Sequence, residues 1–305
     1  MQSDGGDRMH PWQNIIVGVD LGAESLEVAV EALCAMRDAK RIRAVSVVPG
    51  PQSDDAAPQN PGEGPVSLGE SETAKYLSNL YREALAKFQQ EANTRCSDAE
   101  FDTRLLYGTV YQRLVESAEE IDADVTVVGL PNKEGRDTRM LGRTPARLIG
   151  FCKCDVLAIP FGCELDLSRI LVAVDGSAYS RMAAEKARAL ARSVGGVLHT
   201  LCVMSARDAH ITNLSGEEGL EESVADSAAH ANVEANRARE EGIEAHPHSA
   251  KGPAYKRIVE TARKLDAGLI VMGSHGRTGL MRLLLGSVAQ RVLEATDRPV
   301  LVVRS

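Results

Sequence analysis

The chain has 305 residues, 44% hydrophobic and 26% charged, with 43 acidic against 35 basic side chains and a formal charge of −8. That is a globular composition, long enough for two ordinary domains, and its acidic balance argues against a nucleic-acid partner, which needs a basic surface. The opening MQSDGGDRMH lacks the apolar centre of a leader, and no run approaches the ~18 apolar residues of a membrane span, so a cytoplasmic location without membrane insertion is expected.

In chain order, Ile15 to Val19 predicts a buried strand that ends on Asp20. Residues 49–66 interleave Pro49, Pro51, Pro58, Pro61 and Pro65 with Gly50, Gly62 and Gly64, a composition that holds neither helix nor central strand and predicts a solvated loop. Tyr111 to Ala123, Val125 to Gly129 and Val156 to Ile159 then follow, and residues 161–169 form a short link. Beyond it, strands are predicted at Ile170 to Val174, Val197 to Val203, Glu244 to Ser249, Leu269 to Met272 and Val300 to Val303, with helices near 180–194, 217–241, 254–265 and 287–296.

The second half repeats the first. Ile15 to Asp20 reads against Ile170 to Asp175, Tyr111 to Ala123 against Tyr255 to Ala267, Val125 to Gly129 against Leu269 to Gly273, and Val156 to Ile159 against Val300 to Val303. The proline-rich stretch is an insertion between the second and third strands of the first copy. Near-continuous apolar strands alternating with helices specify a parallel sheet covered on both faces, so each half is expected to be a doubly wound, five-stranded α/β domain, at residues 12–160 and 168–304.

The six cysteines suit a reducing compartment. Cys34 and Cys202 lie in apolar helix and strand patterns and Cys96 is isolated. Cys152, Cys154 and Cys163 lack paired CxxC spacing, so no metal or redox cluster is expected from them. His246 and His248 alternate on a strand and share a face, but two histidines are too few to assign a metal site from sequence and are read as structural.

The chemistry concentrates after Leu269 to Met272, where Gly273, Gly276, Gly279 and Gly286 are followed by Ser287. A strand running into a glycine loop and then a helix start builds a phosphate cradle: glycine lets a ligand approach the backbone, and the first helical N–H groups carry partial positive charge. The string is neither GxxxxGK[ST] nor GxGxxG. Asp175, at the end of the first strand of its half, reads equally as an acceptor for ribose or adenine or as the N-cap of the next helix. Arg277 reads equally as a phosphate contact or a solvated side chain. Ser287 combines helix capping with phosphate donation. His275 lies within the loop but has no evident triad partner, so no catalytic residue is assigned.

The string from Gly273 to Val288 resembles the G-2x-G-9x-G-[S/T] nucleotide signature of the universal stress protein family, and the resemblance covers both halves. It implies a tandem member with the adenine nucleotide α-hydrolase-like fold and an ATP, ADP or AMP ligand, with or without Mg2+. Carried onto this sequence, it implies nucleotide contacts from Ala173, Val174, Asp175, Cys202, Met272, Gly273, Gly276, Arg277, Gly286, Ser287 and Val288. The first half keeps Asp20, Val47, Gly129, Gly135 and Gly142 but has Asn132 and Arg143 in place of the second glycine and the serine, so its site is read as weak or altered. The resemblance further implies a nucleotide-dependent regulatory protein of the stress response, acting on a protein target that the sequence does not name. Slow ATP hydrolysis and a nucleotide-free dimeric scaffold are the rival readings. Val156 to Ile159 and Val300 to Val303 are expected to pair within the chain, since exposed apolar edges invite association, and whole chains of the family also form homodimers.

Overall fold

Apolar runs of four to six residues dominate the sheet core, because a strand buried on both faces has no polar side to present to water. The computed structural model describes residues 12–36, 39–49, 72–95, 99–131, 140–204, 217–276 and 285–304, apart from the side chains of Cys34 and residues 217–227. The proline-rich stretch beyond Pro49 therefore lies outside the described residues, as does Cys96. The chain divides into two compact units, one built on residues 12–132 and 141–164 and the other on residues from 165 onward.

In the first unit β1 (Asn14–Gly18), α1 (Ala23–Ala35), β2 (Arg41–Pro49), α2 (Glu72–Arg95), β3 (Glu100–Gly108), α3 (Val110–Glu120), β4 (Val125–Leu130), α4 (Arg143–Phe151) and β5 (Asp155–Pro160) follow one another. The strands lie in the order β3-β2-β1-β4-β5, all parallel. Ile15, Ile16, Val125, Val156 and Leu157 are completely buried, each such side chain contributing about 1.5–3 kcal/mol of hydrophobic stabilisation.

The second unit repeats this with β6 (Arg169–Val174), α5 (Ala178–Val194), β7 (Val197–Met204), α6 (Glu217–Glu240), β8 (Ala245–Lys251), α7 (Ala254–Lys264), β9 (Leu269–Gly273), α8 (Ser287–Ala295) and β10 (Val300–Val303). Its order is β8-β7-β6-β9-β10, again parallel. Both units have the mixed α/β, doubly wound plan expected from the apolar repeats. The chain proceeds from β6 outward through β7 to β8 and then returns to the other side of β6 at β9, so the direction of winding reverses between β6 and β9. A parallel sheet opens a crevice at such a reversal, beyond the C-terminal ends of the strands.

Local chemistry sets the ends of α5. The Ser177 side chain accepts a hydrogen bond from the Ser180 N–H at 3.1 Å, capping the helix start. Gly195 ends the helix in the left-handed region at φ 70°.

Cys152 and Cys154 are buried with their sulfurs 3.2 Å apart, and the Thr126 hydroxyl lies 3.3 Å from Cys154. The hydrogen bond to Cys152, followed by burial, holds the Cys154 thiol well above its ordinary pKa, so it stays protonated. No helix among the described residues is long and apolar enough to cross a membrane.

Candidate functional site

The reversal between β6 and β9 brings together most of the residues singled out in the glycine string. Ala173 and Val174 close β6, Met272 and Gly273 close β9, and Cys202 stands opposite Val174 in the β6–β7 register. Asp175 follows β6 directly. A Cβ added to Gly276 would lie 2.8 Å from Asp175 Oδ2, so the carboxylate rests against the glycine backbone across the crevice.

The structure separates the two readings of Asp175. Ser177, not Asp175, caps α5. Asp175 Oδ1 instead accepts the Ser177 N–H at 3.0 Å, which ties the carboxylate to the turn and directs its other oxygen toward Gly276. Capping is equally clear at α8. Its N-cap is Gly286, no side chain caps it, and exposed Ser287 and Val288 form its first turn. The Ser287 hydroxyl is therefore not used as the cap, and no side chain among the described residues competes for the positive end of the helix. Gly286 donates its N–H to the Ser274 carbonyl at 2.9 Å, and the Ser274 N–H bonds Val303 O at 3.0 Å, so β10 braces the loop against the start of α8. Arg277 and Gly279 lie outside the described residues.

Three further neighbours frame the site, of which Tyr179 and His230 gave no signal in the sequence. The backbone of Tyr179 packs against Gly273, where an added Cβ would come within 2.8 Å of it. The His275 ring lies 5.2 Å from the Tyr179 ring and its Nδ1 is 3.1 Å from the Ser274 hydroxyl, while its buried Nε2 has no partner among the described residues. His230, from α6, packs its imidazole on Gly176, where a Cβ would be 2.6 Å from the ring. Gly176 also has φ 80°, so both sterics and backbone conformation call for glycine there.

The matching place in the first unit is arranged differently. Leu21 N–H donates to Asp20 Oδ1 at 2.8 Å, and the Tyr81 hydroxyl, from α2, lies 3.4 Å from the same oxygen. Burial first, and then the charge and hydrogen bond of Asp20, push the Tyr81 pKa up to about 12. Gly129, on β4, lies under the Phe161 ring, 2.4 Å from an added Cβ. Gly142 is the N-cap of α4, and exposed Arg143 begins that helix where Ser287 begins α8. Val47 is buried in β2. Asn132 and Gly135 lie outside the described residues.

The model of the universal stress protein family matches residues 11–160 and again 167–304. The chain belongs to the universal stress protein family. Along nearly its whole length it is similar to the universal stress protein Rv2005c of Mycobacterium tuberculosis, with 28% identity over 302 residues, 95% of this chain and 96% of that one. It is also 35% identical over 140 residues to the universal stress protein MJ0531 of Methanocaldococcus jannaschii, covering 45% of this chain and 81% of the relative. A crystal structure of a universal stress protein from Archaeoglobus fulgidus superposes with a TM-score of 0.71 at 20% identity, covering 96% of this chain and 99% of that one, a likeness of fold. This universal stress protein thus carries two family repeats.

Proposed function

We propose that this universal stress protein binds an adenine nucleotide (ATP, ADP or AMP) in its second unit and serves as a nucleotide-dependent regulatory protein of the cytoplasmic stress response. The observation that carries the reading is the approach of Asp175 to Gly276 at the winding reversal, beside the uncapped start of α8. A carboxylate at the end of the first strand suits ribose or adenine donors, and free helix N–H groups behind glycine suit phosphates. The ligand would rest on Ala173, Val174 and Cys202 at the base and sugar, and on Gly273, Gly276, Gly286, Ser287 and Val288 at the phosphates. Mg2+, when present, would accompany the phosphates.

The first unit is proposed to bind nucleotide weakly or not at all. Its Asp20 is engaged by Leu21 and Tyr81, its Gly129 lies under Phe161, and Arg143 takes the place of the serine. Calorimetric titration of the full chain with ATP, ADP and AMP, with and without Mg2+, tests the proposal, together with mass identification of any nucleotide released by acid. Saturation near one nucleotide per chain, lost in Asp175→Asn, is expected. Failure of all three nucleotides to bind would overturn it. Steady phosphate release near the median enzyme turnover of about 10 s⁻¹ would instead favour an ATPase.

A further inference from the structure

The edge of the second unit gathers three histidines that the nucleotide site does not use. Among the described residues β8 pairs with β7 alone, in a register that sets His199 opposite His246 and Leu201 opposite His248. Because side chains alternate along a strand, all three rings emerge on one face. His199 Nδ1 lies 3.0 Å from His248 Nε2, and the two ring centroids are 5.2 Å apart with planes tilted by 45°. The His246 ring stacks on His199 at 5.4 Å and reaches Glu244 at 2.9 Å. His199 is nearly buried, whereas His246 is about half exposed.

The first unit shows that this fold has no structural need for imidazoles here. In the corresponding β2–β3 register, Arg43 stands opposite Asp102 and Val45 opposite Arg104. These side chains form an ion-pair network: Arg43 bonds Asp102 at 2.8 Å and Glu120 at 2.7 Å, and Arg104 bonds Asp102 at 3.2 Å. The second unit has replaced the network with nitrogen donors, and beside His248 opens a cavity of about 470 Å³ that Ser249, Lys251, Glu260 and Lys264 also line.

We propose that His199 and His248 chelate a single late first-row divalent cation, Ni2+ or Cu2+, at this sheet edge. With metal–nitrogen bonds of about 2.0–2.1 Å, nitrogens 3.0 Å apart subtend roughly 90° at the ion, the cis angle of tetragonal or octahedral coordination rather than the wider tetrahedral one. Among the described residues no three His, Cys, Asp or Glu side chains are grouped to hold an ion, so the chelate is a two-histidine one. Its other positions take water. Binding requires the His199 proton on Nε2 and the His248 proton on Nδ1, with each ring oriented so that its free lone pair points about 45° off the line between the two nitrogens, toward the ion. His246 stays with Glu244 and serves as a stacking neighbour.

The test is calorimetric titration of the full, tag-free chain with NiCl2 in a non-coordinating buffer. One ion per chain is expected, with affinity falling at least about tenfold in His199→Gln and in His248→Gln and less than about threefold in His246→Gln. Because His199 is nearly buried, a second variant guards against misfolding: His199→Arg with His246→Asp, His248→Arg and Lys264→Glu, the position that matches Glu120, rebuilds the ion-pair network of the first unit. It should fold and take up no Ni2+ at this site. Absence of saturable binding by the unaltered chain, equal binding by the rebuilt variant, or loss in His246→Gln with retention in His199→Gln would each overturn the proposal.

Discussion

Asp175 and Gly276 meet across the crevice of the second unit, so closely that a Cβ at Gly276 would lie 2.8 Å from the carboxylate oxygen. The contact joins the end of β6 to the loop after β9, and a side chain at Gly276 must displace the group proposed to hold the nucleotide. Gly276 is exposed, so the displacement costs the fold little. Gly276→Val should abolish nucleotide binding in calorimetry while shifting Tm by less than about 2–4 °C, the effect of roughly 1 kcal/mol in a chain of this kind. Retained binding would remove Gly276 from the site.

Gly273 should behave in the opposite way. An added Cβ meets the Tyr179 backbone, which cannot rotate aside as a side chain can. Gly273→Ala should therefore destabilise the second unit by about 1–3 kcal/mol, the usual cost of overpacking, measurable by urea unfolding in the absence of any nucleotide.

Tyr81 supplies a pH-dependent test of the first unit. Its folded pKa of about 12 lies above the ordinary value of 10.0, so the fold prefers the neutral phenol. The corresponding stability is fully present below pH 10 and is lost as pH rises through 12. An ultraviolet titration should show one of the six tyrosines ionising late. Asp20→Asn should bring it down only part of the way, because burial is the largest cause and the carboxylate the second. A tyrosine unaffected by Asp20→Asn would mean that the two groups do not interact in solution.

Arg188 and Glu234 form an ion pair that is almost entirely buried, at 2.8 Å with 12% and 6% of the side chains exposed. Removing Arg188 leaves buried Glu234 with only the half-exposed Arg237, 2.7 Å from its other oxygen, to balance its charge. Arg188→Leu should cost about 1–3 kcal/mol, whereas Lys75→Ala, which breaks a surface pair with Glu72, should cost less than about 1 kcal/mol. Thermal unfolding of the two variants side by side reads the difference.

The elements and their order were legible in the chain because burial on both faces leaves a periodic mark in sequence. Leu269 to Val271 are apolar without interruption since both faces of β9 are buried, and the match of Tyr111 to Ala123 with Tyr255 to Ala267 exposes the repeat without any knowledge of contacts. The glycine string was legible for a related reason: close backbone approach restricts residue type at each position, so Gly273, Gly276 and Gly286 stand out one by one. Contacts set by sheet register and helix packing leave no such mark. Ser177 rather than Asp175 as the cap of α5, Tyr81 against Asp20, His230 on Gly176 and His199 beside His248 join side chains whose types are common anywhere on a protein. The last three join positions far apart in the chain. What distinguishes these residues is the neighbour each one meets, and only the folded backbone decides that.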